Sequence, residues 1–231
     1  MENLFNGYTL EIAPGAFPLS TDSMALSDYI KLPRQAKVLD LGSGCGTIGI
    51  LLCAKDSQCV VTGIELDENA HRAALHNRQN NQLQDRLNSI CGDLTAITDL
   101  VRAGSFDVCV SNPPYFTAGF LSQTTPLARH EQTCSLEQLI QSAAYALKFG
   151  GDFYLVHKPD ALAQLCAHAV SAKLEPKRLI FVRHDPGKPF SLILLHCRKG
   201  GRPGLKVEEL CLFDENGQPT PDYRRIYHLG G

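Results

Sequence analysis

The sequence predicts an α/β protein with one open, mostly parallel sheet and helices on both faces. From residue 37 to about residue 195, short apolar runs alternate with stretches whose apolar residues recur at helical spacing. The last two apolar runs, 179–182 and 191–195, are joined by a link too short for a parallel crossover. We therefore expect a seven-stranded sheet that ends in a C-terminal antiparallel hairpin.

Length and composition favour one sizeable globular domain. The chain has 231 residues, of which 44% are hydrophobic and 20% charged. No apolar stretch is long enough to span a bilayer, and the first residues lack the pattern of a signal peptide. We expect a cytoplasmic protein without a membrane partner, divided into an N-terminal segment 1–36, a main domain 37–200 and a C-terminal extension 201–231.

The first strand and helix enclose a glycine-rich turn. The strand Lys37 to Leu41 leads into Gly42-Ser43-Gly44-Cys45-Gly46, and Thr47 to Lys55 then reads as a helix. Strand, glycine turn and helix form the opening of a nucleotide-binding βαβ unit. Before it, polar residues 20–23 can cap a short helix over 24–30.

Three further strands end in polar residues. The run 59–65 ends in Glu65 and precedes a helix over 69–80, the run 87–91 is followed by Asp93, and the run 106–110 is followed by Asn112. Ligands of such sheets bind beyond the carboxyl ends of the strands. Together with Asp40 in the first strand, these side chains predict one binding site at that edge.

The remaining elements complete the alternation. Apolar residues at helical spacing predict a helix over 136–147, a glycine turn at 149–151 leads into a strand over 152–157, and Pro159 begins a helix that reaches residue 172. After Gly200 the sequence indicates a loop, a possible strand over 205–213 and a tail.

Metal chemistry is not expected. None of the nine cysteines forms a C-x-x-C pair, and the eight histidines show no ligand spacing. Cysteines within apolar runs are typical of small buried side chains in a reducing compartment.

Basic residues are concentrated in one segment. Residues 171–206 carry nine lysines and arginines against two acidic residues, whereas the whole chain has a net charge of −2. Such asymmetry is what a local phosphate-binding face would produce, although a solvated surface of mixed charge would also fit.

A dinucleotide-dependent dehydrogenase is one alternative, because Gly44 to Gly49 matches the pattern G-x-G-x-x-G. Two features argue against it. Asp40 and an additional Gly42 precede this pattern, and a dinucleotide does not explain Asp93 or the stretch 112–115.

Four motifs in chain order carry a family resemblance. They are Asp40-x-Gly42-x-Gly44-x-Gly46, Glu65 at the second strand end, Gly92-Asp93 after the third strand, and Asn112-Pro113-Pro114-Tyr115 after the fourth. This order resembles the class I S-adenosylmethionine-dependent methyltransferases, which have a Rossmann-like fold. The Asn-Pro-Pro-Tyr variant resembles that of enzymes that methylate planar nitrogens.

Within that class the sequence is most similar to the bacterial N6-methyltransferases of the anticodon-loop adenine of valine tRNA. The shared stretches are Thr21-Asp22-Ser23 and Ala128-Arg129-His130-Glu131. The resemblance implies a cytoplasmic enzyme that methylates RNA, with transfer RNA as the expected partner. It leaves open whether the protein is a monomer or a homodimer.

The resemblance also implies roles for individual residues. S-adenosyl-L-methionine is the implied cofactor. Residues implied to bind it are Thr21, Asp22, Asp40, Gly42, Gly44, Gly46, Glu65, Leu66, Asp93, Leu94 and Asn112. Glu65 would accept from the ribose hydroxyls, and Asp93 from the adenine amine of the cofactor.

The stretch 112–115 is expected to hold the acceptor. An adenine amine is a poor nucleophile because its lone pair is delocalised. The Asn112 side-chain oxygen and the Pro113 carbonyl would accept its two hydrogens, Pro114 would keep the turn rigid, and Tyr115 would stack on the extruded base. Arg129 is expected to contact substrate phosphate, although a solvated charge of the loop would also fit.

Three other interpretations stay open at this stage. A glutamine methyltransferase acting on release factors shares the motifs, but those enzymes usually carry a helical N-terminal domain, and only a short segment precedes Asp40. A DNA adenine methyltransferase would need a target-recognition domain. An inactive RNA-binding or assembly module would have no need of Asn112 and Tyr115.

Overall fold

An eight-stranded sheet forms the centre of the protein in the computed structural model, which describes residues 2–114 and 134–229. Two short strands, β1 (Glu2–Asn3) and β2 (Thr9–Leu10), pair separately near the N-terminus. The main strands are β3 (Lys37–Leu41), β4 (Val60–Glu65), β5 (Leu87–Cys91), β6 (Phe106–Ser111), β7 (Leu147–His157), β8 (Leu174–Arg183), β9 (Phe190–Lys199) and β10 (Lys206–Cys211).

Helices connect these strands. They are α1 (Thr21–Tyr29), α2 (Thr47–Lys55), α3 (Glu68–Asn80), α4 (Ile97–Leu100), α5 (Leu136–Ala146), α6 (Leu162–Ser171) and α7 (Pro221–Ile226). At the start of several helices a side chain caps the first turn. Asp67 accepts from the Ala70 N–H at the start of α3, and Ser135 and Gln138 form a capping box at α5. None of the helices in the described residues is both long and apolar enough to cross a membrane.

The sheet confirms the predicted fold class. Its strand order is β10-β8-β9-β7-β6-β3-β4-β5, and β9 alone runs antiparallel to its neighbours β7 and β8. The predicted hairpin is therefore β8 and β9. The predicted number of seven strands was wrong, because β10 adds to the edge of the sheet by pairing in parallel with β8. The short link over residues 200–205 leads from the end of β9 past β8 to this position.

Alternation along the strands divides the core into two layers. In β3, Val38 packs with α1 and α2 on one face, whereas Leu39 and Leu41 pack with α5 on the other. Asp40 faces the same side as Val38 and is 1% exposed. A carboxylate thus takes the place of an apolar side chain at the end of the central strand.

The turn predicted at 149–151 is a bulge within a longer strand. Leu147 pairs with Phe106, and the next paired residue of β7 is Asp152, opposite Val108. Gly150 has a left-handed φ of 79° between them, which suits a glycine.

The C-terminal segment packs against the N-terminal one. The Tyr227 hydroxyl, directly after α7, lies 2.6 Å from Thr21 Oγ1, and Arg225 pairs with Asp28 in α1. The tail therefore buttresses α1, the helix that begins beside the carboxyl ends of the strands.

The predicted basic face does not form as one surface. Because β8 and β9 are antiparallel, Lys173 and Lys199 lie at one end of the strands. Arg183 and Lys188 lie at the opposite end, where β3, β4 and β6 also end. Several of the cations are also engaged within the chain, as Arg178 is with Glu208 and Arg198 with Asp152. The hairpin thus separates basic residues that lie close together in the sequence.

Gly49 generates a prediction about packing. A Cβ at this position of α2 would lie 2.6 Å from Leu87 Cδ1 and 3.4 Å from Val61 Cγ1. The variant Gly49→Val should lose about 1–3 kcal/mol of unfolding free energy in urea, because the buried Leu87 side chain or the helix itself must shift to make room. Gly187→Val, in an exposed turn, is the control and should change it by about 0.5 kcal/mol or less. An equal loss of unfolding free energy in both variants would contradict the close approach of α2 to the sheet.

Candidate active site

A cavity of about 450 Å³ opens at the carboxyl ends of β3, β4, β5 and β6. This volume lies within the range of small-molecule sites. It lies where the strand order reverses. From β3 the sheet continues with β4 and β5 on one side, and the chain then returns to add β6 and β7 on the other side of β3. Such switch points are the usual ligand sites of open α/β sheets.

The glycine turn forms the floor of the cavity. Gly42 and Gly44 have left-handed φ values of 75° and 54°, and an added Cβ would meet no atom within 4 Å at either position. The N–H groups of Gly42 and Ser43 both donate to the Ile64 carbonyl at 3.0 Å. The turn is thereby held over the end of β4, and its glycines leave room for a ligand close to the backbone.

Gly46 has another place in this turn. It begins α2 with a left-handed φ of 83°, and an added Cβ would lie 3.4 Å from Ala74 Cβ. It borders a small neighbouring cavity between the turn and α3 rather than the main one.

Glu65 bridges the glycine turn and α3. Its Oε2 accepts from the Gly44 N–H at 2.7 Å, and its Oε1 accepts from the Asp67 N–H at 2.8 Å. Each carboxylate oxygen has a further lone pair. The side chain is thus fixed in place and can still accept two hydrogen bonds from a vicinal diol.

Asp93, Leu66 and Leu94 complete this side of the cavity. Asp93 follows β5, and its Oδ1 accepts from the Thr95 N–H at 2.8 Å. Leu66 is 38% exposed although it is a large apolar side chain. An apolar surface beside two carboxylates suits a flat ring with polar edges.

Asp40 lies beneath the glycine turn. Neither of its carboxylate oxygens has a hydrogen-bond partner in the part of the chain that the structure describes. Burial, and to a smaller extent the nearby charge of Glu65, raises the pKa of Asp40 to about 7. A buried carboxyl without a partner beside a cavity is a group that a bound ligand or water can satisfy.

Asn112, Pro113 and Pro114 form the opposite wall, directly after β6. Asn112 donates through Nδ2 to Ser23 Oγ at 3.1 Å. The polar turn residues predicted from the sequence therefore line the same cavity as the glycine turn and Glu65.

Thr21 and Asp22 are not among the residues that line the cavity. The Thr21 hydroxyl is instead hydrogen-bonded to the Tyr227 hydroxyl. Burial raises the pKa of Asp22, and the charge of Lys158 partly offsets the rise. Tyr115 and Arg129 fall in residues 115–133, outside the described part of the chain, so their expected roles stay predictions.

The sequence analysis missed several residues in and beside the site, among them Ser23, Phe17 and Asn77. Ser23 and Phe17 line the cavity, and Phe17 is 59% exposed. Asn77 in α3 is 1% exposed and donates through Nδ2 to the carbonyls of Cys45 and Glu11. Asn77 thereby ties the glycine turn to the N-terminal segment. A polar residue on the apolar side of α3 was the signal that could have identified it.

The electrostatics of the cavity select the charge of its ligand. Four carboxylates line it, those of Asp40, Glu65, Asp67 and Asp93, whereas its described lining contains no Lys or Arg. A dinucleotide would bring a pyrophosphate against these acids, but a ligand with a positive charge is stabilised by them. In residues 2–114 and 134–229, no three His, Cys, Asp or Glu side chains are grouped so as to hold a metal ion.

Comparison with known proteins identifies the class. The family model of the methyltransferase small domain matches residues 15–166. The chain therefore belongs to the methyltransferase small domain family and not to the dehydrogenases.

Relatives of nearly the same length give more detail. A protein of Porphyromonas gingivalis named tRNA1(Val) (adenine(37)-N6)-methyltransferase is 31% identical over 96% of this chain and 91% of its own. A protein of Photobacterium profundum with the same name is 29% identical over 89% of this chain and 87% of its own. The resemblance inferred from the motifs is confirmed.

A solved structure confirms the fold. The crystal structure of a protein from Agrobacterium tumefaciens, described as a predicted O-methyltransferase, matches with a TM-score of 0.76 and 21% identity. The match covers 90% of this chain and 95% of the other. It shows a class I methyltransferase fold.

Asp40 generates a prediction for the protein without ligand. With a pKa of about 7 in the folded state, Asp40 stays protonated there between about pH 4 and 7, while the unfolded chain ionises. Unfolding free energy is therefore lost as the pH rises through this window. Asp40→Asn cannot titrate, so the variant should gain up to about 4 kcal/mol relative to the wild type between pH 4 and 8. The free energy of unfolding in urea is measured against pH for both proteins. If it changed with pH in the same way in the wild type and in Asp40→Asn, the result would contradict a buried carboxyl without a partner.

Proposed function

We propose that this protein transfers a methyl group from S-adenosyl-L-methionine to the exocyclic N6 amine of an adenine in transfer RNA. The observation that carries the proposal is the placement of Asn112 and Pro113 in the wall of the same cavity as the glycine turn and Glu65. Donor and acceptor groups can therefore meet at one edge of the sheet. The Porphyromonas gingivalis relative named as an adenine-N6 methyltransferase, 31% identical over 96% of this chain, supports the choice of acceptor.

The residues of the cavity fit the cofactor. Gly42 and Gly44 leave a space that a Cβ would occupy, and Asp40 has unpartnered oxygens beneath it. Glu65 would hold the ribose hydroxyls and Asp93 the adenine amine, with Leu66 and Leu94 against the adenine faces. When bound, S-adenosyl-L-methionine supplies an electrophilic methyl group on a positively charged sulfur. The acidic lining stabilises that charge.

Asn112 and Pro113 would activate the acceptor by hydrogen bonding. The Asn112 side-chain oxygen and the Pro113 carbonyl each accept one hydrogen of the adenine amine, which favours a tetrahedral nitrogen with a localised lone pair. Proline supplies a carbonyl without a competing N–H donor. Holding both reactants in this cavity converts the encounter into an oriented reaction, a gain of about 7–11 kcal/mol in favourable cases.

The N-terminal segment contributes one side of the proposed cofactor site. Pro14, Phe17 and Ser23 line the cavity, and Asn77 holds the backbone at Glu11. We propose that residues 1–36 close over the cofactor, that 37–200 form the catalytic domain, and that 201–231 are an extension. The reaction is assigned to the cytoplasm, where transfer RNA is modified.

The first RNA to test is the substrate named for the relatives, adenine 37 of a valine tRNA. Purified protein is incubated with methyl-labelled S-adenosyl-L-methionine and either total tRNA from a strain lacking the enzyme or release factors. We expect label in tRNA and N6-methyladenosine after nucleoside digestion. Label in a release factor, with none in tRNA, would refute the RNA acceptor.

Asn112→Ala serves as the variant for this assay. Turnover should fall by about 100-fold or more, because one of the two acceptors of the amine is lost. The affinity for S-adenosyl-L-homocysteine should stay within about twofold, measured by calorimetry. Wild-type turnover in this variant would exclude the proposed role of the amide.

Glu65 generates a separate prediction for cofactor binding. Glu65→Gln replaces charged hydrogen bonds to the ribose by neutral ones and should weaken S-adenosyl-L-homocysteine binding by about 10- to 100-fold. Glu68→Gln removes the same charge at the start of α3, from an exposed pair with Arg72, and is the matched control. It should alter affinity by about twofold or less. Equal losses in both variants would indicate only a general charge effect.

A further inference from the structure

Ser23 contacts the amide on which the proposed reaction depends. It lies in the first turn of α1, is 4% exposed, and borders the cavity. Its Oγ is 3.1 Å from Asn112 Nδ2. Ser20, which caps α1, places its Oγ 3.4 Å from both the N–H and the Oγ of Ser23. Three polar side chains thus form a short chain from the cap of α1 to the end of β6.

The Asn112 amide sets the direction of these hydrogen bonds, because its Nδ2 donates to Ser23 Oγ and leaves the Ser23 hydroxyl hydrogen available to Ser20. The Ser20 hydroxyl oxygen has two lone pairs, so it can accept from both the N–H and the O–H of Ser23. The Ser23 oxygen is then left as an acceptor, and the group that fits it is the Asn112 NH₂. The Asn112 oxygen is consequently the edge of the amide that is left for the cavity.

The orientation matters because an asparagine amide has two edges of similar shape and opposite polarity. An adenine amine presents two N–H donors, which the amide oxygen can accept and the amide NH₂ cannot. We propose that Ser23 is a positioning residue that holds the Asn112 amide with its oxygen toward the acceptor amine. The inference rests on the proposed function and adds to it a residue of α1 that does not itself touch the reacting atoms.

The test compares two buried serines of one helix. Ser23→Ala removes the acceptor for Asn112. Ser27→Ala is the matched control, since Ser27 is also 4% exposed in α1 but donates to the Met24 carbonyl. We expect Ser23→Ala to lower kcat for tRNA by about 10- to 100-fold, as misplacement of a reacting group does. The Kd for S-adenosyl-L-homocysteine should stay unchanged, and Ser27→Ala should keep wild-type kcat.

A second readout does not depend on activity. The side-chain NH₂ signal of Asn112 in ¹H–¹⁵N spectra is assigned by its loss in Asn112→Ala. It should shift in Ser23→Ala and stay in place in Ser27→Ala, because only the first variant loses the hydrogen bond. If Ser23→Ala does not fold, Ser23→Cys keeps the side-chain volume with a weaker acceptor and is judged by the same criteria.

The outcomes are distinct. An unshifted Asn112 signal in Ser23→Ala, wild-type kcat in that variant, or an equal loss in Ser27→Ala would overturn the positioning role. A wild-type protein that methylates no tRNA would refute the proposed function instead. The Asn112 signal would still decide whether Ser23 holds the amide.

Discussion

The hydrogen bond from the Gly44 N–H to the Glu65 carboxylate is the interaction on which the site depends. At 2.7 Å it joins the turn after β3 to the tip of β4. The bond requires a backbone that folds back with left-handed φ values, and glycines at 42 and 44 permit this without strain. Since β6 is the other neighbour of β3, Asn112 then faces the same cavity. The strand order thus brings residues that are distant in sequence together in one site.

The second constraint is charge. Four carboxylates around a cavity without a lining Lys or Arg in the described residues would repel one another in the absence of a ligand. Asp40 responds by taking up a proton more readily, with a pKa of about 7, because it is fully buried and lies near Glu65. A positively charged ligand relieves this repulsion. The same lining therefore destabilises the free protein at high pH and favours a sulfonium cofactor over a dinucleotide.

Much of this arrangement could be predicted from the sequence, because strand and helix periods and the glycine turn are local signals. The strands β3 and β5 and the helix α2 have the predicted bounds. What failed were features set by pairing across the sheet. The possible strand over 205–213 is present as β10, but its place in the sheet depends on a parallel partner, β8, and was not predicted. The basic segment 171–206 is split because its hairpin runs from one end of the strands to the other. Ser23 and Asn77 escaped notice since a contact such as Ser23 to Asn112 spans 89 positions.

A crystal structure of the protein with S-adenosyl-L-homocysteine tests the central claim most directly, because it locates the ligand against each named group. We predict that the ribose hydroxyls lie within hydrogen-bonding distance of the Glu65 carboxylate, that the adenine amine lies beside Asp93, and that the sulfur faces the Asn112 side-chain oxygen across the cavity. A ligand bound with its ribose away from Glu65, or its sulfur on the far side of the glycine turn from Asn112, would contradict the assignment of donor and acceptor to one edge of the sheet.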